Sequence, residues 1–212
     1  MQITTRIHAC DILLISVCLL LLNGCAGALN NKKVGHVSTV AIDQNVIIGN
    51  AATNQTPGKT MAGMFGGVIG ALIASAVTAE SDQLITDKFK TETHLDVVTT
   101  HCLKTTLENS PYWSERLIDG TQYADAVFNI HVFQYGFGSV DSKIVLPILG
   151  LTISLTERNG KQLWKSSRSI AKHPENLPRY KREEYLEDMT RYDTAAAALC
   201  RDLMQQFIED EN

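Results

Sequence analysis

The chain lacks any excess of positive charge: 19 Lys and Arg stand against 23 Asp and Glu among 212 residues, a formal net charge of −4. A nucleic-acid partner would require a basic stripe or patch to neutralise phosphates, so that class of partner is excluded. A complete nucleotide-phosphate loop is also missing. Gly58-Lys59-Thr60 follows a candidate strand, but such a loop needs glycine at position 53, where this chain has Thr53. Metal-ligand spacing is absent from the predicted helices. His94 and His101 lie seven positions apart, whereas two ligands on one helical face sit three or four apart, so both read as surface histidines. His131 has no Cys, Ser or carboxylate placed beside it by the sequence, and the mixed charges from Arg179 to Glu187 read as a solvated helix start. These gaps lead to the expectation of a non-catalytic protein with no cofactor.

Residues 1–24 have the layout of an export signal: a polar start with Arg6, an uncharged apolar run from Ile12 to Leu22, then Asn23-Gly24 before Cys25. Eleven apolar residues are too few to span a bilayer. The tetrapeptide Leu22-Asn23-Gly24-Cys25 resembles the lipobox of bacterial lipoproteins. That resemblance implies diacylglyceryl on Cys25, cleavage before it, and attachment to membrane lipid. Residue 26 is Ala rather than Asp, which in Gram-negative lipoproteins implies sorting to the outer membrane, facing the periplasm. An ordinary secretory signal cut near Ala28 is the alternative, and either route exports the mature chain. Losing residues 1–24 removes one base, Arg6, and one acid, Asp11, so the charge balance is unchanged. The expected organisation is a lipoprotein signal peptide at 1–24, a lipidated cysteine with a short tether at 25–33, and one domain at 34–212. At roughly 3.3–3.6 Å per extended residue, a tether from Ala26 to Lys33 keeps the folded part within about 30 Å of its membrane.

Of the five cysteines, Cys10 and Cys18 leave with the signal and Cys25 is assigned to lipid, so Cys102 and Cys200 remain. They are either a bridge between two long helices or two separate core thiols.

Along the mature chain, the Val- and Ile-rich stretch Val34 to Ile48 predicts a first strand, followed by turn material from Asn50 to Lys59. Met61 to Ala79 has no charge and repeats small residues every fourth position, with Ala62, Gly66, Gly70 and Ala74 beside Gly63, Gly67, Ala71 and Ser75. Such a smooth face lets another backbone approach closely, as in small-xxx-small membrane helices. A buried helix or loop is the other reading, because each glycine costs about 1 kcal/mol in a helix and the run is barely long enough for a bilayer. Ser81 to Asn109 predicts one long helix, Glu115 to Ile118 a short strand, and Val127 to Tyr135 a strand with Phe128, Ile130 and Val132 on its core face. Gly136-Phe137-Gly138 reads as that strand's end. Leu149, Leu151, Ile153 and Leu155 alternate with polar residues, and Asn159-Gly160 predicts a two-residue turn into a strand from Gln162 to Ile170. The closing helix, Arg182 to Ile208, carries Tyr185, Met189, Tyr192, Ala196, Leu199, Leu203 and Phe207 at three- and four-residue spacing. Together these elements predict an α+β fold, a single mixed, mostly antiparallel sheet with long helices packed on one face.

Tyr123-Ala124-Asp125-Ala126-Val127, the strand after it, and the hairpin ending Asn159-Gly160-Lys161-Gln162-Leu163-Trp164 are similar to a pattern in a group of envelope lipoproteins. That group resembles the N-terminal domain of the Tol-system periplasmic protein and includes penicillin-binding-protein activators, curli-type secretion lipoproteins and transport-auxiliary lipoproteins. The resemblance implies binding and assembly with an envelope protein partner, in a secretion, transport or other assembly complex. A homo-oligomer that inserts the 61–79 segment into the membrane is the competing expectation. Candidate partner or membrane contacts are Met61, Phe65, Ile69, Leu72, Ile144, Leu146 and Leu149, because Ile144 to Leu151 is apolar on both faces and is either covered or offered to a partner. Trp164, Tyr112 and Trp113 are of the aromatic types that dominate interface hot spots, and equally of the types that fill cores.

Overall fold

Alternating apolar residues build the centre of the molecule. The computed structural model describes Leu29 and residues 34–50, 52–54, 79–139 and 145–208. In chain order these form β1 (Val40–Ile42), β2 (Ile47–Ile48), β3 (Thr53–Asn54), α1 (Ala79–Glu92), α2 (Leu95–Glu108), β4 (Ala126–Ser139), β5 (Val145–Glu157), β6 (Gln162–Ala171), α3 (Arg182–Glu187) and α4 (Thr190–Ile208). The strand order is β1-β4-β5-β6, with β2 and β3 following β1 along the same edge of β4. Pairing is parallel between β4 and each short edge strand, and antiparallel for β4 with β5 and β5 with β6. The expected α+β architecture is therefore present.

One sheet face carries Phe128, Ile130, Val132, Leu151, Ile153 and Leu155, all buried against Leu103 and Leu107 of α2 and Leu199, Leu203 and Phe207 of α4. The seven residues of the predicted closing stripe, from Tyr185 to Phe207, are all buried. The opposite face is half-buried and polar over much of its length, through Asn129, His131, Thr152, Ser154 and Thr156. Cys102 and Cys200 form a disulfide between α2 and α4, with a Cα separation of 6.4 Å that lies in the ordinary range for such bridges.

Several boundaries differ from the sequence expectation, each for a visible reason. The first strand is three short pieces, because Ile42 and Ile47 are five positions apart while their partners Phe128 and His131 are three apart, and Ile48 and Thr53 are five apart while Val132 and Gly136 are four apart, so the register is lost between the pieces. Glu115 to Ile118 contributes only a bridge, Leu117 to Val40. The long helix is two: it breaks at Thr93-His94, where the Thr93 hydroxyl bonds the Phe89 carbonyl and the His94 N–H donates to the Asp193 carboxylate at 3.1 Å. A carboxylate at a helix N-terminus meets unpaired N–H groups and the positive end of the dipole, so Asp193 starts α2 from a distance of 99 residues. Asp188 divides the last helix in the same way, accepting the Thr190 N–H at 3.2 Å.

The parity of β4 changes midway. Val132 faces Leu151, but the next pair is Gln134 with Gly150, so Phe133 is an extra residue and Tyr135 and Phe137 turn inward rather than outward. Unbroken alternation from Phe128 would put Tyr135 on the solvent face, and the bulge brings it inside. β4 also continues through Gly136-Phe137-Gly138 instead of ending there.

Past the bulge, the Tyr192 hydroxyl enters the sheet. It accepts the Gly136 N–H at 2.9 Å and donates to the Ile148 carbonyl at 2.6 Å, and these two residues are cross-strand partners. Its ring lies edge-on to Phe89 and Phe137, and burial raises the phenol pKa, so it stays neutral and able to donate. Tyr192→Phe leaves a buried N–H and a buried C=O without a partner, each costing about 1–3 kcal/mol. The expected loss is about 2–4 kcal/mol in urea unfolding with an unchanged m-value. A loss below half a kilocalorie would show that the hydroxyl does not hold the two strands.

Candidate functional site

The residues that carry the lipoprotein-like sequence pattern meet at the end of the sheet where β4 begins and the β5–β6 hairpin turns. Asp125 accepts backbone N–H groups from Ser38 at 3.1 Å and Thr39 at 3.0 Å, fastening the entry to β1 beside β4. Those bonds, the Thr39 backbone contact foremost, hold its carboxyl below the usual carboxylate range. The fastening is therefore intact at neutral pH and lost as pH falls through that lowered value.

Gly160, at φ 87, closes the hairpin, but the connection is three residues, Arg158-Asn159-Gly160, not two. The Gly160 N–H bonds the Glu157 carbonyl and the Glu157 N–H bonds the Lys161 carbonyl, Gly160 takes the left-handed conformation, and the register shifts between Leu155 and Thr156. The longer turn lets the Arg158 guanidinium donate to the carbonyls of Gln122 at 2.9 Å and Ala124 at 3.1 Å. His36 Nε2 lies 2.7 Å from Glu157 Oε1, and the Asn159 amide donates to the other Glu157 oxygen at 3.0 Å. His36, Val37, Asp125, Glu157, Arg158 and Asn159 line a shallow recess there. His36, Asp125 and Arg158 bond across the recess and tie the N-terminal segment, the entry to β4 and the hairpin to one another. The arrangement is a fastening and has no nucleophile paired with a base.

Leu29 lies at the same end. It is 2% exposed, its N–H bonds the Phe207 carbonyl at 3.3 Å, and it shares an apolar niche with Leu107, Phe128, Ile153, Trp164 and Phe207. Sequence reasoning missed this residue, because one leucine among small and polar neighbours has no periodicity to detect. Tyr123, 70% exposed, stands between the two carbonyls that Arg158 holds. On the polar sheet face Ile47 is 64% and Phe133 40% exposed. Neither signalled itself in sequence, Ile47 because it reads as strand core and Phe133 because the bulge sets its orientation.

Cys25, Met61, Phe65, Ile69, Leu72 and Ile144 lie outside the described residues. Leu146 is half-buried. Leu149 is fully buried against the helices opposite Tyr135, so its expected role as a contact residue is corrected to core. Val145, Ile148 and Leu151 are buried with it, which makes this stretch covered rather than presented. Trp113 is also core, packed edge-on against Phe128 at 5.4 Å, while Trp164 is half-buried against Phe207. His94 pairs with Asp193 through Nδ1 at 3.1 Å and His101 is exposed on α2. Among the described residues no three His, Cys, Asp or Glu side chains converge as metal ligands, and no helix is long and apolar enough to cross a membrane.

No protein family description matches this chain, and no curated protein does. Solved structures similar to it include the PelC dodecamer from Paraburkholderia phytofirmans, 13% identical over 86% of this chain and 92% of that one with a TM-score of 0.38. Protein XCC0632 from Xanthomonas campestris is 9% identical over 81% and 84%, at 0.40. A minor lipoprotein from Acinetobacter baumannii is 12% identical over 80% and 87%, at 0.31. Similarity at this level carries no functional conclusion, and none is drawn from it.

Proposed function

We propose that this protein is an exported lipoprotein, held to the outer membrane by lipid on Cys25 and facing the periplasm, which serves as a non-catalytic accessory or scaffold in an envelope assembly, secretion or transport complex. The observation that carries export is the disulfide: both cysteines that remain in the body of the protein are paired with each other, as they are in oxidising compartments and rarely in the cytosol. The lipobox-like Leu22-Asn23-Gly24-Cys25 then supplies the anchor. Acyl chains contribute about 0.8 kcal/mol per buried CH₂, so two or three of them make release from a bilayer negligible. A scaffold role is supported by a site whose side chains fasten segments of the chain to one another.

In cells given radiolabelled fatty acid, the protein is expected to take up label and to sediment with outer membranes. Cys25→Ala is expected to abolish both and leave it soluble in the periplasm. A Cys25→Ala protein that still fractionates with membranes ends this reading. The partner is found by crosslinking in cells followed by mass identification. A self-oligomerising lipoprotein that inserts residues 61–79 is the second reading, favoured by the repeated small residues of that stretch. A mature protein whose size is the same with and without detergent argues against it.

A further inference from the structure

The lipid anchor and the body of the domain are much closer than the sequence suggests. Leu29 is seated in the core, so the stretch between Cys25 and the body of the domain is not the eight residues from Ala26 to Lys33 but the three from Ala26 to Ala28. Four Cα steps from Cys25 to Leu29 reach at most about 14 Å. The niche that holds Leu29 is bounded by Phe128 near the start of β4, Trp164 near the start of β6 and Phe207 near the end of α4. All three lie at the hairpin end of the sheet. The other end, where Phe137 pairs with Asn54, is nine residues further along β4, about 30 Å away.

We infer that the hairpin end of the domain, around Leu29, Tyr123 and the Arg158–Lys161 turn, is a membrane-apposed surface that stands on the lipid headgroups. This rests on the lipoprotein reading above. A leash this short keeps Leu29 and the turn beside it within about 14 Å of the anchored Cys25, whereas the far end, about 30 Å further along the sheet, has no such tether. An independent feature marks the same end. Tyr123 is a highly exposed aromatic, held outward by the two Arg158 hydrogen bonds on either side of it. Tyrosine at that position suits the headgroup layer, where an apolar ring and a polar hydroxyl are both accommodated. The surface faces lipid and is not the partner surface; partners are left with the remaining faces.

The test uses the full lipidated protein in phosphatidylcholine vesicles containing brominated phosphatidylcholine, which quenches tryptophan only at short range. Tyr123→Trp reports on the hairpin end and Leu84→Trp, exposed on α1 near the Phe89 contact with Phe137, reports on the other. The emission that Tyr123→Trp adds over the parent is expected to fall roughly twofold or more, and that of Leu84→Trp to be unchanged. Leu29→Ser frees the leash as far as Val34, so Tyr123→Trp quenching is expected to weaken while the protein still floats with the vesicles. Vesicle flotation separates the two claims. If the wild-type protein does not float, the lipoprotein reading falls and this inference with it. If it floats and Leu84→Trp is quenched as strongly as Tyr123→Trp, or Leu29→Ser changes nothing, the orientation alone is overturned.

Discussion

Gly136→Ala is expected to leave the domain unable to fold stably, the largest effect of any single methyl group added to the described residues. A Cβ at this position would stand 2.2 Å from the Thr53 carbonyl oxygen and 2.9 Å from the Thr53 nitrogen. Both are backbone atoms of β3 and cannot rotate away. The residue also has φ 121, outside the range alanine adopts without strain. Strain of about 1–3 kcal/mol and overpacking of a similar size add to about 2–6 kcal/mol, whose upper half is comparable with the whole stability of a marginal domain. The same glycine donates its N–H to Tyr192, so moving its backbone also pulls on the hydroxyl that joins β4 to β5. Soluble yield and the urea midpoint, measured beside Gly160→Ala, check this. Gly160 also has positive φ, but a Cβ there meets nothing within 4 Å, so its loss isolates backbone strain alone, about 1 kcal/mol. Equal losses for the two glycines would remove the steric argument.

Replacing Cys102 and Cys200 together by Ser is expected to be nearly as damaging. The bridge joins residues 98 apart in sequence. A loop of that length restricts the unfolded chain by about 4–5 kcal/mol in the chain-entropy account. Both sulfurs are buried between α2 and α4, so the replacement also puts two hydroxyls where nothing polar is waiting. Thermal unfolding with and without dithiothreitol gives the comparison. The oxidised wild type should unfold well above both the reduced wild type and the double variant. A double variant of unchanged midpoint would show that helix packing alone sets stability there.

Much of this architecture was legible from residue pattern because local and tertiary demands coincide along it. The stripe from Tyr185 to Phe207, which runs through α3 and α4, is one example: seven apolar residues at helical spacing could bury only one face, and all seven do. Phe128, Ile130 and Val132 are another, with strict alternation up to the point where Phe133 bulges. Beyond that point the sequence is silent, since the bulge depends on Gly150 across the ladder. A Cβ there would meet the Phe133 ring and the Gln134 Cβ at 2.9 Å, so the extra residue is accommodated by a glycine 17 positions away. The break between α1 and α2 depends likewise on Asp193, and Leu29 on a niche assembled from five elements, α2, β4, β5, β6 and α4. The pattern at Asp125 and Asn159-Gly160 could be seen in the sequence, but its purpose could not. The hydrogen bonds show it to be a clasp for the N-terminal segment.

With Leu29 seated at the hairpin end, the proposed anchor on Cys25 would tie down that pole and leave the other at large. β3 ends at Asn54 alongside Phe137, and α1, which begins at Ala79, lays Phe89 on the same ring. β3 therefore ends on the pole opposite the hairpin turn. For a protein mounted on its hairpin end as proposed, anything meant to meet that pole without travelling back down the sheet must come from the aqueous side.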